Sequence, residues 1–236
     1  ETTIERVIGI RIDNGIAASQ VINNQEKQSL EIEDTPVILT TNIVESIEPT
    51  IRSIGESLAK KGILSLAVIA KGFSTTAIQQ MQVQARAGFN IIPINAPYVD
   101  QREIMKDLEA ILGGRFVDFE DGDLDSIQFS DLGHCRSIIA RRMDAVFSGL
   151  PSEEARKRLH KRVEDLHKKL KGSPSDFEKK NLSARIAQLT NGFSVVKVGS
   201  LSVTDRKRTF DKVEDACNAT RAAFQSSLAA SNFFAA

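Results

Sequence analysis

Leu64-Ser-Leu-Ala-Val-Ile-Ala70 decides the fold. It is a short, uncharged, almost wholly apolar run, and Pro36-Val-Ile-Leu39 before it and Ile91-Ile-Pro-Ile94 after it are of the same kind. Runs this short and this apolar are consistent with strands buried inside a sheet. Helical stretches lie between them. One carries Ile47, Ile51, Ile54 and Leu58 at spacings of 4, 3 and 4, and another runs from Ser74 to Ala87. A third, Asp100 to Leu112, closes on Gly113-Gly114, a usual C-cap signal. Such β-α-β-α-β alternation predicts an α/β core, a mainly parallel sheet flanked by helices. Ser137-Ile-Ile-Ala140 and Asp144-Ala-Val-Phe147, separated by Arg141-Arg142-Met143, add further strands that can pair as a hairpin.

The texture changes at Pro151. Ser152 with Glu153 and Glu154 opens a helix whose apolar residues, Leu159, Val163, Leu166 and Leu170, repeat as a narrow seam. Lys171-Gly-Ser-Pro-Ser175 breaks it. A second helix starts with a capping box, Ser175 and Glu178, and continues through Leu182, Ile186 and Leu189. The two predict a charged antiparallel helix hairpin. Residues 151–190 hold eleven Lys/Arg against six Asp/Glu, but no aromatic or glycine pattern accompanies the charge, so it reads as a solvated face rather than a nucleic-acid surface. After Asn191-Gly192 come a β-type run, Ser194-Val-Val-Lys-Val-Gly199, and a last helix from Thr204 with Phe210, Val213, Cys217, Thr220 and Phe224 on one stripe.

Composition narrows the function classes. In 236 residues, 31 basic side chains balance 31 acidic ones, so no global field draws the chain to nucleic acid or anionic lipid. Cys135 and Cys217 lie far apart without metal-ligand spacing, which argues against a disulfide scaffold or zinc site and for a reducing compartment. No apolar run approaches a membrane span. The start, Glu1-Thr-Thr-Ile-Glu-Arg-Val-Ile-Gly9, is unlike a signal peptide and reads as the interior of a longer protein.

Motifs for small-molecule chemistry are weak. Asp118-Phe-Glu-Asp-Gly-Asp-Leu-Asp125 is acidic but lacks the spacing of a calcium loop, so it reads as a solvated loop and no metal is expected. His134 beside Cys135 has no third orienting group, and adjacent side chains point apart. His160 and His167 fall in the charged hairpin and read as surface residues. Gly113-Gly114 has no phosphate-loop sequence around it.

Several ordered blocks resemble one family. Ser175-Asp-Phe-Glu-Lys-Lys-Asn-Leu-Ser-Ala-Arg-Ile-Ala-Gln-Leu-Thr-Asn-Gly-Phe-Ser-Val-Val-Lys-Val-Gly199 and Val213-Glu-Asp-Ala-Cys-Asn-Ala-Thr-Arg-Ala-Ala223 resemble segments of the group I chaperonins. Asp13-Asn-Gly-Ile16, Ile22-Asn23, Ala96-Pro97, Gly113-Gly114 and Asp131-Leu-Gly133 follow in the expected order. The resemblance implies an apical, polypeptide-binding domain over 9–192 and part of an intermediate domain over 1–8 and 193–236, with the equatorial ATP-binding domain absent. Gly9 and Gly192 would be the hinge glycines between the two. Without the resemblance they read as turn glycines.

The same resemblance implies a molecular chaperone that binds non-native polypeptides through exposed apolar side chains. Burial of such surface stabilises a complex by about 25 cal/mol per Å² whatever the client's sequence. Position by position, an extended segment offers Ile16, Ala18, Gln20 and Val21. The first groove helix offers Ile51 and Ile54, and the second Ile78, Gln82 and Val83. All are expected to face solvent, although isoleucines at helical spacing are core residues in most proteins. Ile16, Gln20 and Val21 stand where the family is aromatic, and Gln82 where it is aliphatic, so weaker or narrower client binding is expected. A co-chaperonin loop is a possible second occupant of the groove, although Ala96-Pro97 leads into Tyr98-Val-Asp-Gln101 where the family has glycine-phenylalanine-glycine.

Asp215 matches the family's catalytic aspartate and acts only with the equatorial domain. This stretch by itself is therefore not expected to be an enzyme or to hold a cofactor, whereas the full-length protein is expected to be an ATPase using ATP and Mg. The resemblance further implies a homo-oligomeric ring in the cytoplasm or an organelle matrix, with neither nucleic acid nor membrane as partner. The alternative is a structural or assembly module of a divergent ring with little general client binding.

Overall fold

The computed structural model describes residues 3–7, 9–118, 127–149, 152–172, 175–198 and 202–233. In chain order the elements are β1 (Thr3–Val7), β2 (Gly9–Ile12), β3 (Leu30–Thr40), β4 (Ile43–Val44), α1 (Glu48–Lys60), β5 (Ser65–Ala70), β6 (Gly72–Phe73), α2 (Thr75–Arg86), β7 (Asn90–Asn95) and α3 (Gln101–Leu112). There follow β8 (Phe116–Val117), β9 (Gly133–Ala140), β10 (Ala145–Gly149), α4 (Glu153–Gly172), α5 (Asp176–Asn191), β11 (Phe193–Lys197) and α6 (Val203–Phe233). The chain divides into two compact units, Val7–Phe193 and Glu1–Arg6 with Ser194–Ala236.

The larger unit is built on a seven-stranded sheet in the order β2-β10-β9-β3-β5-β7, with β8 paired to β3. The three apolar runs became β3, β5 and β7, joined in parallel with Val37 opposite Ala67 and Ile92 opposite Ala67 on its other side. β8 also runs parallel to β3. The extra strands join antiparallel: β9 and β10 form the hairpin, and β2 closes that side against β10.

Side chains alternate between two cores, one on each face. Val37, Leu39, Ala67, Ile69, Ile92 and Ile94 point into one, which Met105, Leu108 and Ile111 of α3, Leu166 of α4 and Leu189 of α5 complete. Ile38, Leu66, Val68 and Ile91 point into the other, covered by Ile54 and Leu58 of α1 and by Ala77 and Met81 of α2. Coverage on both faces explains why these strands read as unbroken apolar runs.

Helix boundaries have identifiable chemical causes. Pro49 lies in the first turn of α1. Ser74 caps α2, its Oγ accepting the Ala77 N–H at 3.0 Å, and Ser152 caps α4 by accepting from the Ala155 N–H at 3.0 Å. α3 ends at Gly113, whose φ of 73° favours glycine. Gly114, at φ 77°, backs onto Gly133 so closely that a Cβ would sit 2.2 Å from its amide nitrogen. The capping box expected at Ser175 is not formed, since its side chain makes no cap hydrogen bond.

The hairpin's charge, expected to be a solvated face, is partly buried. Arg162 of α4 donates through Nε to Asp107 at 2.7 Å and through Nη2 to Glu103 at 2.9 Å. Arg185 of α5 also binds Asp107, which is 0% exposed, and Lys169 donates to Glu103 at 2.8 Å. The seam of α4 packs on the sheet core: Leu166 is buried, and Leu159 and Val163 lean against the same cluster. Of the acidic loop, residues 119–125 lie outside the described residues. Asp118 is buried and receives the Thr41 hydroxyl and the Arg102 guanidinium.

In the smaller unit β1 pairs with β11. α6 continues past the Phe224 end of its expected stripe to Phe233. Phe224 to Phe233 contains neither glycine nor proline to stop it.

Candidate functional site

The segment after β2 crosses the outer edge of β7. Ile16 bridges Ile94 antiparallel, and the Ala17 N–H donates to Pro93 O at 2.9 Å. A 3-10 turn at Ser19–Val21 then lifts the chain off the sheet. Beneath that turn opens a cavity of about 270 Å³, lined by Ala18, Gln20 and Val21 of the segment, Ile78 and Gln82 of α2, and the start of β7. Five of the residues nominated from the sequence thus converge on one cleft.

Ile16 does not join them. It is 7% exposed and belongs to the sheet core, because its pairing with Ile94 carries the side chain inward. Ile54 is likewise misassigned. It is 0% exposed, with Leu58 one turn on, because the stripe of α1 that repeats at 4, 3 and 4 is the stripe laid against the sheet.

Ile51, on the flank of that stripe, remains half-buried and lines a second cleft of about 390 Å³. Here α1 presents Gly55, Glu56 and Ala59, and the end of α2 presents Gln84, Ala87 and Gly88. Two small residues one turn apart, Gly55 and Ala59, hollow the helix surface, and their spacing is visible in the sequence. Val83 stands on α2 at 61% exposed, and Leu64, a lining residue of this cleft, is 65% exposed. Gln80 ties the helices together, its Oε1 accepting from the Ser46 hydroxyl and the Ile47 N–H, each at 3.0 Å.

The walls are largely apolar with neutral amides, Gln20, Gln82, Asn23 and Asn90 around the first cleft and Gln84 in the second, where the one charged lining residue, Glu56, is paired with Lys60 at 2.7 Å. Such surfaces suit apolar side chains on an uncharged backbone better than an ionic metabolite.

The remaining nominated residues lie elsewhere. Gly9 is buried in β2 opposite Ser148, and Gly192 ends α5 at φ 61°, its N–H donating to Gln188 O at 3.1 Å. Both fall just inside the ends of the larger unit. Asp215 is exposed on α6. Among the described residues no three His, Cys, Asp or Glu side chains cluster as metal ligands. Burial pushes the Cys135 thiol up to about 12, and its Sγ is held on the Ser137 and Ser148 carbonyls at 3.1 and 3.2 Å. His134 faces Asp34 at 3.8 Å instead, so His134 and Cys135 do not form a nucleophile–base pair. One exposed carboxylate does not by itself fit a nucleotide, and among the described residues no phosphate cradle accompanies it.

No protein-family model matches the chain. It is 30% identical to the mitochondrial chaperonin CPN60 of Brassica napus over 229 residues, 95% of this chain and 38% of that protein. It is 29% identical to chaperonin GroEL of Aster yellows witches'-broom phytoplasma (strain AYWB) over 228 residues, covering 94% of this chain and 41% of the relative. With chaperonin GroEL of Wolbachia pipientis subsp. Culex pipiens (strain wPip) it shares 28% identity over 233 residues, 97% and 42% of the two chains. The chain therefore spans about two fifths of the length of these relatives. No helix among the described residues is long and apolar enough to cross a membrane.

Proposed function

This chain belongs to the group I (GroEL/Cpn60) chaperonin family, and on that premise we propose that it captures non-native polypeptides in the two clefts bordering α2. The single observation that supports this reading is the convergence of Ala18, Gln20, Val21, Ile78 and Gln82 on one cavity, with Val83 left exposed on the same helix. A partly folded client supplies apolar side chains, the clefts remove them from water, and the gain scales with area rather than with sequence. Ile16 and Ile54 act from below as support for the walls.

In this proposal residues 9–192 form the apical, polypeptide-binding part and 1–8 with 193–236 belong to an intermediate part. Gly9 and Gly192 serve as the hinge, since a glycine absorbs large φ/ψ changes at little steric cost. The longer protein is an ATP- and Mg-dependent ring in the cytoplasm or an organelle matrix, with Asp215 acting on nucleotide held by residues outside this chain. A co-chaperonin loop competes for the same clefts.

The test is direct titration of a chemically denatured, fluorescently labelled test protein against the 236-residue chain, without nucleotide. Saturable binding that Val83→Asp weakens is expected. Absence of binding by a chain that melts cooperatively overturns the reading in favour of a purely structural module.

A further inference from the structure

We propose that the first cleft grips its client by the backbone: an extended segment of a non-native polypeptide adds as a strand to the outer edge of β7 at Ile91. This rests on the polypeptide-binding reading above and names how that site holds its occupant.

β7 ends the strand order of the main sheet. On its inner side the Asn90 N–H donates to Leu64 O at 2.8 Å. Along a parallel strand the backbone groups of successive residues face alternate sides. Asn90, Ile92 and Ile94 therefore face β5, while Ile91, Pro93 and Asn95 face outward. The far outward groups are occupied, since Pro93 O accepts from Ala17 N–H and Asn95 N–H donates to Gly15 O, both at 2.9 Å. Ala18 is still extended (φ −139°, ψ 123°), but the 3-10 turn begins at Ser19. The crossing segment thus leaves before reaching Ile91, whose outward N–H and C=O find no hydrogen-bond partner among the described residues.

The side chains locate the cavity independently. Ile91 packs into one core and Ile92 into the opposite one. The same cavity nevertheless touches Asn90, Ile91, Ile92 and Pro93 in succession. A cleft that meets residues of both faces runs along the edge of the strand. Ile91 is only 3% exposed, and a shielded amide without a partner is costly until something pairs with it.

The occupant is specified by what already lies there. Gly15–Ala17 of this chain sits antiparallel on the same edge, and a guest strand continues that ladder in the register a straight Ser19 would have taken. One set of its alternate side chains meets Val21, Leu30 and Ile32, and the other meets Ile78 and Met81. A folded protein has few free extended segments to offer, so edge pairing of this kind favours non-native chains.

The experiment uses the 236-residue chain and a short fluorescein-labelled peptide of alternating valine and threonine with terminal lysines, together with a series carrying one N-methyl group at each amide in turn. We expect N-methylation to weaken binding roughly five- to tenfold at the one amide that donates to the Ile91 C=O, and little at the others. Hydrogen exchange at Ile91 N–H should slow at least about tenfold when the unmethylated peptide is bound. Binding indifferent to methylation, with Ile91 exchange unchanged, overturns edge docking and leaves the polypeptide reading standing. Failure of both the unmethylated peptide and a denatured test protein to bind overturns both.

Discussion

Arg185 of α5 closes on Asp107 of α3, seventy-eight residues earlier in the chain, with Nη2 and Nε at 2.7 and 2.8 Å from one carboxylate oxygen. Arg162 of α4 takes the other oxygen at 2.7 Å, so one buried aspartate joins three helices. Asp107→Ala strands two guanidiniums that are each only 12% exposed. The expected loss is about 3–5 kcal/mol, read as a lower denaturant midpoint. Replacing the trio together, with Asp107→Leu, Arg162→Met and Arg185→Met, should cost much less, because no buried charge is left unpaired.

Acid should act through Glu103. Burial opposes its ionisation, but the Lys169 ammonium and the Arg162 guanidinium outweigh that and hold its pKa at about 2, against an ordinary 4.5. A depressed folded-state pKa contributes stability that is fully present above the unfolded value and is lost as pH falls towards the folded one. Between about pH 4.5 and 2 the denaturation midpoint of the wild type should therefore fall more steeply than that of Glu103→Gln. Parallel slopes across that window would show that the pair contributes nothing.

Gln82 lines the first cleft with an amide where an aliphatic side chain offers more apolar area. Gln82→Leu should tighten capture of a denatured test protein by about 1–2 kcal/mol, measured by fluorescence titration. Unchanged affinity would place the contact elsewhere.

Gly55 separates stability from capture. A Cβ there meets only Ile51 Cγ2, at 3.3 Å, so Gly55→Ala should raise helix stability by up to about 1 kcal/mol. The same methyl narrows the second cleft. A higher melting temperature together with weaker client binding is the expected result, and stability gained without any loss of binding would remove that cleft from the account.

Much of the fold was legible because each β-α-β element has its own periodicity: Leu64 to Ala70, Ile91 to Ile94 and the stripe of α1 all fall where the pattern puts them. The site was only half legible. Spacing identifies the apolar stripe of a helix but not which flank is wet, so it does not separate Ile54, which is buried, from Ile51, which reaches a cleft. Ile16 is drawn inward by a bridge to a residue seventy-eight positions away, which no local pattern reveals. The same holds for Arg162 and Arg185, two cations among eleven in the hairpin stretch, whose burial depends on how the hairpin docks onto Asp107.

The central claim is that the clefts beside α2 hold apolar surface ready for unfolded chains. Light scattering from a denatured test protein diluted into buffer, with the 236-residue chain present and nucleotide omitted, tests it most directly. The account predicts dose-dependent suppression of scattering, weakened by Val83→Asp. Scattering that rises undiminished in the presence of the folded chain would contradict it.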